Sequence, residues 1–431
     1  MNSIPRRTFL KLSGAAALGT TALNGGLPAL VRAGAGESLT LGVIGCSRGL
    51  LLAREFAKQN VRIAYVCDPD ETRLAKARKA SKADHAVADL RKILDDKSVD
   101  AVAIAAPDHW HAAAAILACQ AGKHVYVEKP CSHNIHEGRL MIEAARRSHR
   151  VMQVGAQSRS TTALKNGIQL LREGAIGDVL VAKAWTCQRR PDIGHQTPSA
   201  PPPGFDYDLW VGPAPMCPFQ SNRYHYTWHW WYNFGTGDAG NRGVHEMDIA
   251  RWGLGLETHP SLVVGYGAKL FFDDDQQFPD TQYVTFEYPG DGKRKPRLII
   301  YEQRIWSPSL QDGRGDANAF YGTEGYMILS KHTGWQLFDR KNHLLKEEPG
   351  EYSVPEHAAD FLEAIRSGKR PSADIEIGHR SATMAHLANI LVRSGRQRLV
   401  FDPQAERILD DPQADALRSR TYREGHWAAL K

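Results

Sequence analysis

The sequence predicts an α/β domain with a parallel sheet, followed by an α+β domain with an open, mostly antiparallel sheet. From residue 36 to residue 158, short apolar runs alternate with helical stretches, which is the pattern of βαβ units. Over residues 159–431, strand-like runs follow one another in succession, as in an antiparallel sheet. A chain of 431 residues is also long enough for two separate hydrophobic cores.

The first predicted domain, residues 36–158, alternates five strands with four helices. Its predicted strands are Ser38–Ile44, Val61–Cys67, Val99–Ala105, His124–Val127 and Val151–Gly155. Its predicted helices are Leu50–Lys58, Glu71–Ala83, Trp110–Gly122 and Ile135–His149. Ligands of such open sheets bind outside the carboxyl ends of the strands, so we expect a ligand site at that edge.

The second predicted domain, residues 159–431, is expected to cover one face of its sheet with helices. Its predicted strands are Val179–Cys187, Ser261–Tyr266, Gln282–Tyr288, Arg297–Arg304 and Tyr326–Ser330. A final helical stretch, Ile377–Arg393, is expected to pack back against the first domain.

Residues 1–35 have the features of an export signal rather than of a domain. Arg6–Lys11 (RRTFLK) is a twin-arginine motif, Ala15–Leu18 is a short apolar stretch, and Val31–Ala33 (VRA) is typical of a cleavage site. The apolar stretch is too short to span a bilayer. We therefore expect a soluble protein exported to the periplasm, without membrane association.

Charge and cysteine spacing exclude several classes of protein. Residues 1–35 contain four basic residues and no acidic one, so removing them lowers the formal net charge from +6 to +2. A nearly neutral chain offers no electrostatic basis for binding nucleic acid. The six cysteines include no C-x-x-C pair, which argues against a zinc ribbon or a thioredoxin-like site. His225 and His229 have H-x-x-x-H spacing without a following Glu or a third ligand, so no metal site is expected.

The turn after the first strand has features of a dinucleotide-binding site. Gly45 and Gly49 would allow a pyrophosphate to approach the backbone, although the spacing is one residue short of G-x-G-x-x-G and Ser47 stands near the middle glycine. Asp68 ends the second strand, 23 residues after Gly45, where a carboxylate binds the adenosine ribose and repels a 2′-phosphate. The alternative for Asp68 is a turn residue before Pro69. Together these residues favour a Rossmann domain that binds NAD rather than NADP.

Further motifs along the chain resemble those of one oxidoreductase family. Glu128-Lys129-Pro130 follows the strand His124–Val127, and Ala106–His111 (APDHWH) follows the strand before it. The other matching segments, in order, are Gln153–Arg159, Gly174–Asp178, Asp208–Pro213 and Gly243–Trp252. This succession is similar to that of the Gfo/Idh/MocA family, which includes glucose–fructose oxidoreductase and inositol dehydrogenase, over about Leu39 to Ile390.

The resemblance implies an NAD-dependent enzyme with its cofactor at the strand ends. The residues expected to contact the cofactor are Gly45, Ser47, Arg48, Gly49, Asp68, Pro107, His109, His111, Glu128, Lys129 and Gln157. Lys129 also has a physical rationale, because an ammonium at a strand end can bind the reacting hydroxyl and stabilise its developing negative charge.

The resemblance assigns the acid/base role to His245, in a helix that begins near Asn241. Histidine suits transfer of a hydroxyl proton near neutral pH, and Asp248 lies on the same helix face. Many sugar dehydrogenases of the family have Asp at the position of Asn241. Since an amide cannot accept a proton, Asp238 on the preceding turn is a candidate for supplying that charge. The predicted catalytic set is therefore Lys129, His245, Asn241 and Asp248.

The segment Tyr224–Trp252 is rich in aromatic residues and is expected to contribute to the substrate site. The predicted substrate residues are Arg159, Trp230, Tyr232, Asp238 and His245. Aromatic faces pack on sugar rings, but a hydrophobic core beneath a loop is an equal alternative for each aromatic residue. Cys187–Arg190 and Asp206-Tyr207 are additional candidates for facing the cleft.

Three functions are considered. The first is oxidation of a sugar, glycoside or polyol hydroxyl, with NAD tightly bound and regenerated during the cycle because an exported enzyme has no renewable supply. The second is a glycoside hydrolase or lyase that oxidises C3 transiently and eliminates the aglycone. It needs another base near C2, for which His109, His111, His229 and Tyr232 are candidates. The third is a non-catalytic NAD-binding protein. A dimer or tetramer is expected in each case.

Overall fold

The structure is a computed structural model, and it describes residues 38–290, 292 and 295–423. The predicted export signal, residues 1–35, lies outside the described residues. Within the described part of the chain, no helix is both long and apolar enough to cross a membrane. The described residues form a six-stranded sheet and a ten-stranded sheet.

The six-stranded sheet is entirely parallel and is flanked by helices, which confirms the predicted Rossmann fold. Its strands are β1 (Thr40–Ile44), β2 (Arg62–Cys67), β3 (His85–Val87), β4 (Ala101–Ile104), β5 (His124–Val127) and β6 (Met152–Val154). Its helices are α1 (Arg48–Ala57), α2 (Glu71–Ser81), α3 (Arg91–Asp95), α4 (Asp108–Gln120) and α5 (Ile135–Ser148). The strand order β3-β2-β1-β4-β5-β6 reverses between β1 and β4, so the ligand crevice lies at the carboxyl ends of these two strands.

The ten-stranded sheet is mostly antiparallel, as predicted, with one parallel pair, β7 and β10. Its strands are β7 (Val179–Cys187), β8 (Leu262–Ala268), β9 (Thr281–Tyr288), β10 (Arg297–Arg304), β11 (Asp316–Gly322), β12 (Gly325–Ser330), β13 (Gly334–Asp339), β14 (Leu344–Glu348), β15 (Arg398–Asp402) and β16 (Arg407–Leu409). Their order is β14-β13-β12-β11-β7-β10-β9-β8-β15-β16.

Helices cover one face of this second sheet. The helices after β6 are α6 (Thr162–Arg172), α7 (Tyr207–Val211), α8 (Val244–Gly253), α9 (Val354–Ser367), α10 (Ile375–Arg393) and α11 (Pro412–Ala416). Of these, α9 packs against α1 in the core of the first domain, and α7 belongs to a separate aromatic cluster. Apolar side chains of α6, α8 and α10 share one buried core with the inner residues of the sheet. Gly243, before α8, lies directly on the sheet, because an added Cβ would be 2.2 Å from the Tyr301 hydroxyl. Helix α10 also packs against α5 of the first domain.

Candidate active site

One cleft of about 420 Å³ extends from the first βα turn to the beginning of α8. It is lined by residues of both domains. The predicted site residues that line it are Gly45, Ser47, Arg48, Asp68, Pro107, His111, Glu128, Lys129, Gln157, Asn241 and His245. The cleft therefore joins the predicted dinucleotide turn to the predicted catalytic pair, Lys129 and His245.

The dinucleotide turn depends on Gly45. Its φ of +92° is in the region that favours glycine, and an added Cβ would lie 2.4 Å from the carbonyl oxygen of Ala105. Its N–H donates to the carbonyl of Cys67 at 2.8 Å, which joins the ends of β1 and β2. Helix α1 begins at Arg48 without a side-chain cap from Ser47, so its first N–H groups are available to an anion.

Gly49 does not line the cleft but brings α1 close to the sheet. An added Cβ would lie 2.7 Å from a methyl carbon of Val43 in β1. Close helix–strand packing is the role of the third glycine in the dinucleotide fingerprint. Although the spacing of the motif is irregular, its structural role is present.

The Asp68 carboxylate lines the cleft at the carboxyl end of β2. It accepts hydrogen bonds from the backbone N–H of Cys46 at 2.8 Å and of Asp70 at 3.0 Å. Burial raises the pKa of this carboxyl group. Arg73 and Arg91 line the same end, so this region has charges of both signs.

Glu128 connects the residues around the middle of the cleft. It follows β5, and its Oε1 accepts from Arg48 Nε and from Gln157 Nε2, each at 3.2 Å. The next peptide bond, Lys129–Pro130, is cis. His111 lies beneath this segment, with Nδ1 2.7 Å from the Pro130 carbonyl oxygen. These contacts fix the backbone that positions Lys129.

Lys129 is held by Asn241 from the second domain. Its Nζ donates to the backbone carbonyl of Asn241 at 2.7 Å and to Oδ1 of the same residue at 3.2 Å. The Asn241 Nδ2 then donates to Asp238 at 3.0 Å, and Asp238 pairs with Arg190 at 2.7 Å. Among the described residues, the Asp238 carboxylate is therefore connected to Lys129 by hydrogen bonds through the amide of Asn241. Burial lowers the pKa of Lys129.

His245 lies in the first turn of α8 and lines the same end of the cleft. No side chain among the described residues bonds to its ring nitrogens. Burial, followed by the nearby cations Lys129, Lys331, Arg48 and Arg242, holds its pKa well below the ordinary value. The imidazole is therefore neutral at physiological pH and able to accept a proton.

The structure does not bring Arg159 and Asp248 to the cleft lining. Instead, they form a buried ion pair with two hydrogen bonds, of 2.7 and 2.9 Å. Ser381 of α10 also donates to Asp248 at 2.6 Å. Although burial alone would raise it, the Arg159 guanidinium holds the pKa of Asp248 below its usual range. The pair fastens α8 to neighbouring segments.

Three other predicted residues also lie behind the lining. The ring nitrogens of His109 are 2.9 and 3.4 Å from the carbonyl oxygens of Trp210 and Phe234, and burial lowers its pKa to about 3. Trp230 is fully buried in a hydrophobic cluster, and the partly buried Tyr232 packs against that cluster. For these two aromatics, the structure supports the alternative of a core beneath a loop.

The sequence did not indicate several residues at the reacting end. They are Lys331, His332 and Tyr352, whereas Tyr226, Trp228 and Arg242, which also line the cleft, belong to the predicted aromatic segment. Lys331 forms ion pairs with Glu246, the neighbour of His245, and with Asp316 at 2.9 Å. No local motif marks Lys331, because it reaches the cleft through the order of strands in the second sheet. Arg190, within the candidate segment Cys187–Arg190, does line the cleft.

A separate buried cluster outside the cleft has the chemistry of metal ligands. His259 and His379 each place Nε2 2.9 Å from the same oxygen of Glu406. The Arg139 guanidinium also pairs with that carboxylate, and Nδ1 of both imidazoles has no partner among the described residues. Metal-bound imidazoles almost always donate their second N–H, so these contacts fit a structural network better than a metal site.

Comparison with known families agrees with this geometry. Residues 39–156 match the NAD-binding Rossmann domain of an oxidoreductase family, Gfo/Idh/MocA. Residues 185–291 and 336–428 match its C-terminal α/β domain. The chain belongs to the Gfo/Idh/MocA oxidoreductase family. Its first domain is accordingly an NAD-binding Rossmann domain.

The named relatives include a dehydrogenase and a protein named for a glycosyl hydrolase family. The chain is 27% identical over 363 residues to myo-inositol 2-dehydrogenase of Thermotoga maritima, covering 81% of this chain and 95% of that protein. It is 31% identical over 216 residues to glycosyl hydrolase family 109 protein 2 of Shewanella sp. strain ANA-3, covering 43% of this chain and 46% of that protein. Several of the curated relatives it matches are covered over about half of their length or less.

Solved structures show the same fold. Levoglucosan dehydrogenase in complex with NADH and levoglucosan superposes with a TM-score of 0.66 at 19% identity. The superposition covers 84% of this chain and 99% of that one. At this identity, the likeness concerns the fold.

Proposed function

We propose that this protein oxidises a hydroxyl group of a sugar, glycoside or polyol with a tightly bound NAD that is regenerated within the catalytic cycle. The observation that carries the proposal is that Lys129 and His245 face one end of a cleft whose other end is the dinucleotide turn. The relatives named for inositol and levoglucosan support this class of substrate.

The residues of the cleft fit NAD along its length. The open N–H groups of α1 suit the pyrophosphate, and the Asp68 carboxylate suits the hydroxyls of the adenosine ribose. Glu128, Lys129 and Gln157 lie toward the nicotinamide end. When bound, NAD supplies a hydride acceptor. We prefer NAD to NADP because the Asp68 carboxylate would repel a 2′-phosphate.

The two catalytic side chains have distinct roles in this proposal. Neutral His245 accepts the proton of the substrate hydroxyl. Lys129 donates a hydrogen bond to the same oxygen and stabilises its negative charge as that proton leaves. Asn241 positions Lys129 and, because its Nδ2 donates to Asp238, does so without adding a carboxylate beside the reacting oxygen.

A second candidate function is cleavage of a glycoside through transient oxidation and elimination. The match to the glycosyl hydrolase family 109 protein favours it. A non-catalytic role is less well supported, since both Lys129 and His245 are present and face the cleft. We also propose export through the signal in residues 1–35, which supports retention of the cofactor outside the cytoplasm.

The first test is to purify the protein without added cofactor, denature it, and quantify released NAD(H) and NADP(H) by mass spectrometry. Near-stoichiometric NAD(H) is expected. Levoglucosan, myo-inositol, glucose and methyl glucosides would then be screened for reduction of the bound nicotinamide by absorbance. Lys129→Met and His245→Gln should each lose about 10²–10⁴-fold in that reduction. His195→Gln, at an exposed ion pair outside the cleft lining, is the matched control. A protein that neither carries nor binds NAD would contradict the proposal.

A further inference from the structure

We infer that His229 is a second catalytic base, placed to remove a carbon-bound proton beside a ketone and so to cleave a 3-keto-glycoside by β-elimination. This inference rests on the proposed function, because oxidation of a glycoside hydroxyl would supply the ketone on which His229 acts. Oxidation alone requires one base for one hydroxyl, and His245 provides it. His229 is a further neutral imidazole in the lining of the same cleft, where it is available for a second proton transfer.

His229 has a defined tautomer and an open nitrogen. It belongs to a short 3₁₀ turn, Thr227–Trp230, and its Nδ1 bonds to the backbone carbonyl of Tyr226. Because a carbonyl oxygen only accepts, Nδ1 carries the proton and Nε2 presents a lone pair. The ring stacks on Trp228, with centroids 3.6 Å apart and planes 19° apart. Nε2 bonds to none of the described residues, and His229 lines the cleft.

The other three candidates for a base near C2 lack these properties. His109 lies behind the lining, with both ring nitrogens near backbone carbonyls. Tyr232 also lies behind it, with the Arg393 guanidinium 4.4 Å from its ring centroid. His111 lines the cleft, but its ring nitrogens are 2.7 and 2.8 Å from two carbonyl oxygens. Of the four, His229 combines a position in the lining with an unoccupied nitrogen.

The charges around His229 suit formation of an enolate. Burial lowers its pKa to about 3, with further contributions from Lys129, Arg190 and His111, so the free ring is neutral. The cations that oppose a charged imidazole stabilise the negative oxygen of an enolate. When the proton moves from carbon to Nε2, both charges form together and attract each other. In this step Lys129 would donate a hydrogen bond to the ketone oxygen, as it does to the hydroxyl oxygen during oxidation.

The elimination balances without an oxidant, a reductant or water. The C2–H bond breaks, its proton passes to Nε2 of His229, and its electron pair becomes the C1=C2 double bond. The C1–O bond to the aglycone breaks and leaves its electron pair on the departing oxygen. That oxygen then takes the proton from His229. The products are an unsaturated keto sugar and a free alcohol.

The test uses 4-nitrophenyl glycosides that already carry a ketone at C3, in gluco and galacto forms and both anomers. The full-length holoenzyme is mixed with each probe in D₂O. Release of nitrophenol and deuterium at C2 of recovered probe are measured. The wild-type protein should produce both, and His229→Gln should lose about 10²–10⁴-fold of each. His195→Gln is the control expected to match the wild type.

Melting temperature and bound-cofactor content establish whether His229→Gln is folded. If it is not, His229→Ala is tested with added imidazole, whose restoration of nitrophenol release would support the inference. A folded His229→Ala that imidazole does not rescue would overturn it.

Two further outcomes separate this inference from the proposed function. If parent glycosides reduce the bound cofactor but no keto probe is cleaved or deuterated, oxidation stands and the second base is wrong. If a folded His229→Gln cleaves keto probes as fast as the wild type, the assignment of His229 is wrong whatever the oxidation assay shows.

Discussion

Asn241 shows how one atom of a side chain sets the charge of the reacting end. Its Oδ1 accepts from Lys129, and its Nδ2 donates to Asp238, which the Arg190 guanidinium also contacts. A carboxylate at position 241 would keep the first contact and lose the second. The amide is therefore matched to Asp238, and the two positions are best regarded as a unit.

Exchanging that amide for an acid should place two buried carboxyl groups about 3 Å apart, at the present separation of Asn241 Nδ2 and Asp238. Asn241→Asp should cost roughly 1–3 kcal/mol in the free energy of unfolding at neutral pH, because a buried donor is lost. Like charges raise the pKa of one member of the pair, so the folded state binds a proton that the unfolded state has released.

Stability of this variant should therefore rise relative to wild type as pH falls toward 5 and decline as pH increases. Urea unfolding of both proteins at several pH values measures the difference. Asn241→Ser, which adds no charge, is the control. A difference in stability that is independent of pH would contradict the paired-acid interpretation.

For single residues, the sequence predicted the positions of side chains that directly follow a strand. It did not predict the positions of side chains whose contacts come from segments distant in sequence. The positions of Lys129 and Asp68 could be predicted, because the end of a strand determines where the next side chain lies. His109 lies behind the cleft lining instead, because the carbonyl groups near its ring nitrogens belong to Trp210 and Phe234, which are distant in sequence. A local motif does not specify which side of the chain a buried imidazole faces.

Among the elements, α8 carries both His245, which lines the cleft, and Asp248, which does not. The ion pair of Asp248 with Arg159, together with Ser381, fixes this helix against the segment after β6 and against α10. Both charged side chains are almost fully buried. The pair positions the helix that presents His245, and we expect it to contribute to the free energy of unfolding.

Asp248→Asn should remove the charge that compensates Arg159 and the neighbouring Arg251. Breaking a buried pair by neutralising one partner costs about 3–5 kcal/mol, so the melting temperature should fall. The remaining folded fraction should retain the binding of NAD and the rate per active site. Calorimetry and active-site titration measure the two quantities separately. A variant with unchanged stability and a large loss of rate would restore Asp248 to the catalytic set.

The second sheet was only half predicted from sequence. Five of its ten strands were missed, and four of these lie at its ends. The outermost strand at one end, β14 (Leu344–Glu348), is largely exposed and reads LLKEE, so it lacks the apolar alternation that marks a half-buried strand. The predicted strands β7, β9 and β10 lie in the middle, where burial on one face gives a clear pattern.

For the whole molecule, one part of the uncovered face of this sheet exposes apolar and aromatic side chains. Val264 and Tyr266 of β8 lie beside Tyr283 of β9, and all three are exposed, whereas the alternate residues face the helices. Contiguous exposed apolar surface is typical of interaction sites. We propose a dimer or tetramer formed through this face. Light scattering at micromolar concentration should give a dimer or tetramer mass.

The double substitution Tyr266→Asp and Tyr283→Asp should shift that mass toward the monomer by placing charges on the contact surface. Met216→Asp, at an exposed loop residue, should leave the mass unchanged. A monodisperse wild-type monomer would contradict the proposal.

Buried neutral histidines should make the whole fold sensitive to mild acid. His109, His229 and His386 are buried, and burial lowers each pKa from 6.5 to about 3. Below pH 6.5 the unfolded chain protonates these rings, whereas the folded state keeps them neutral until about pH 3. The unfolded state then binds more protons, so this part of the stability is complete above pH 6.5 and is lost as pH falls toward 3.

Each such ring contributes about 1.4 kcal/mol per pH unit to the decline, so three contribute about 4 kcal/mol per unit. Other histidines, among them His124 and His245, also have lowered pKa values, so urea unfolding between neutral pH and about pH 5 should show a slope at least this steep. His386→Asn should reduce the slope by about 1.4 kcal/mol per pH unit, because its side chain does not titrate in this range, whereas the exposed His195→Gln should not. A free energy of unfolding that stays constant over the interval would mean that these rings reach solvent before the chain unfolds.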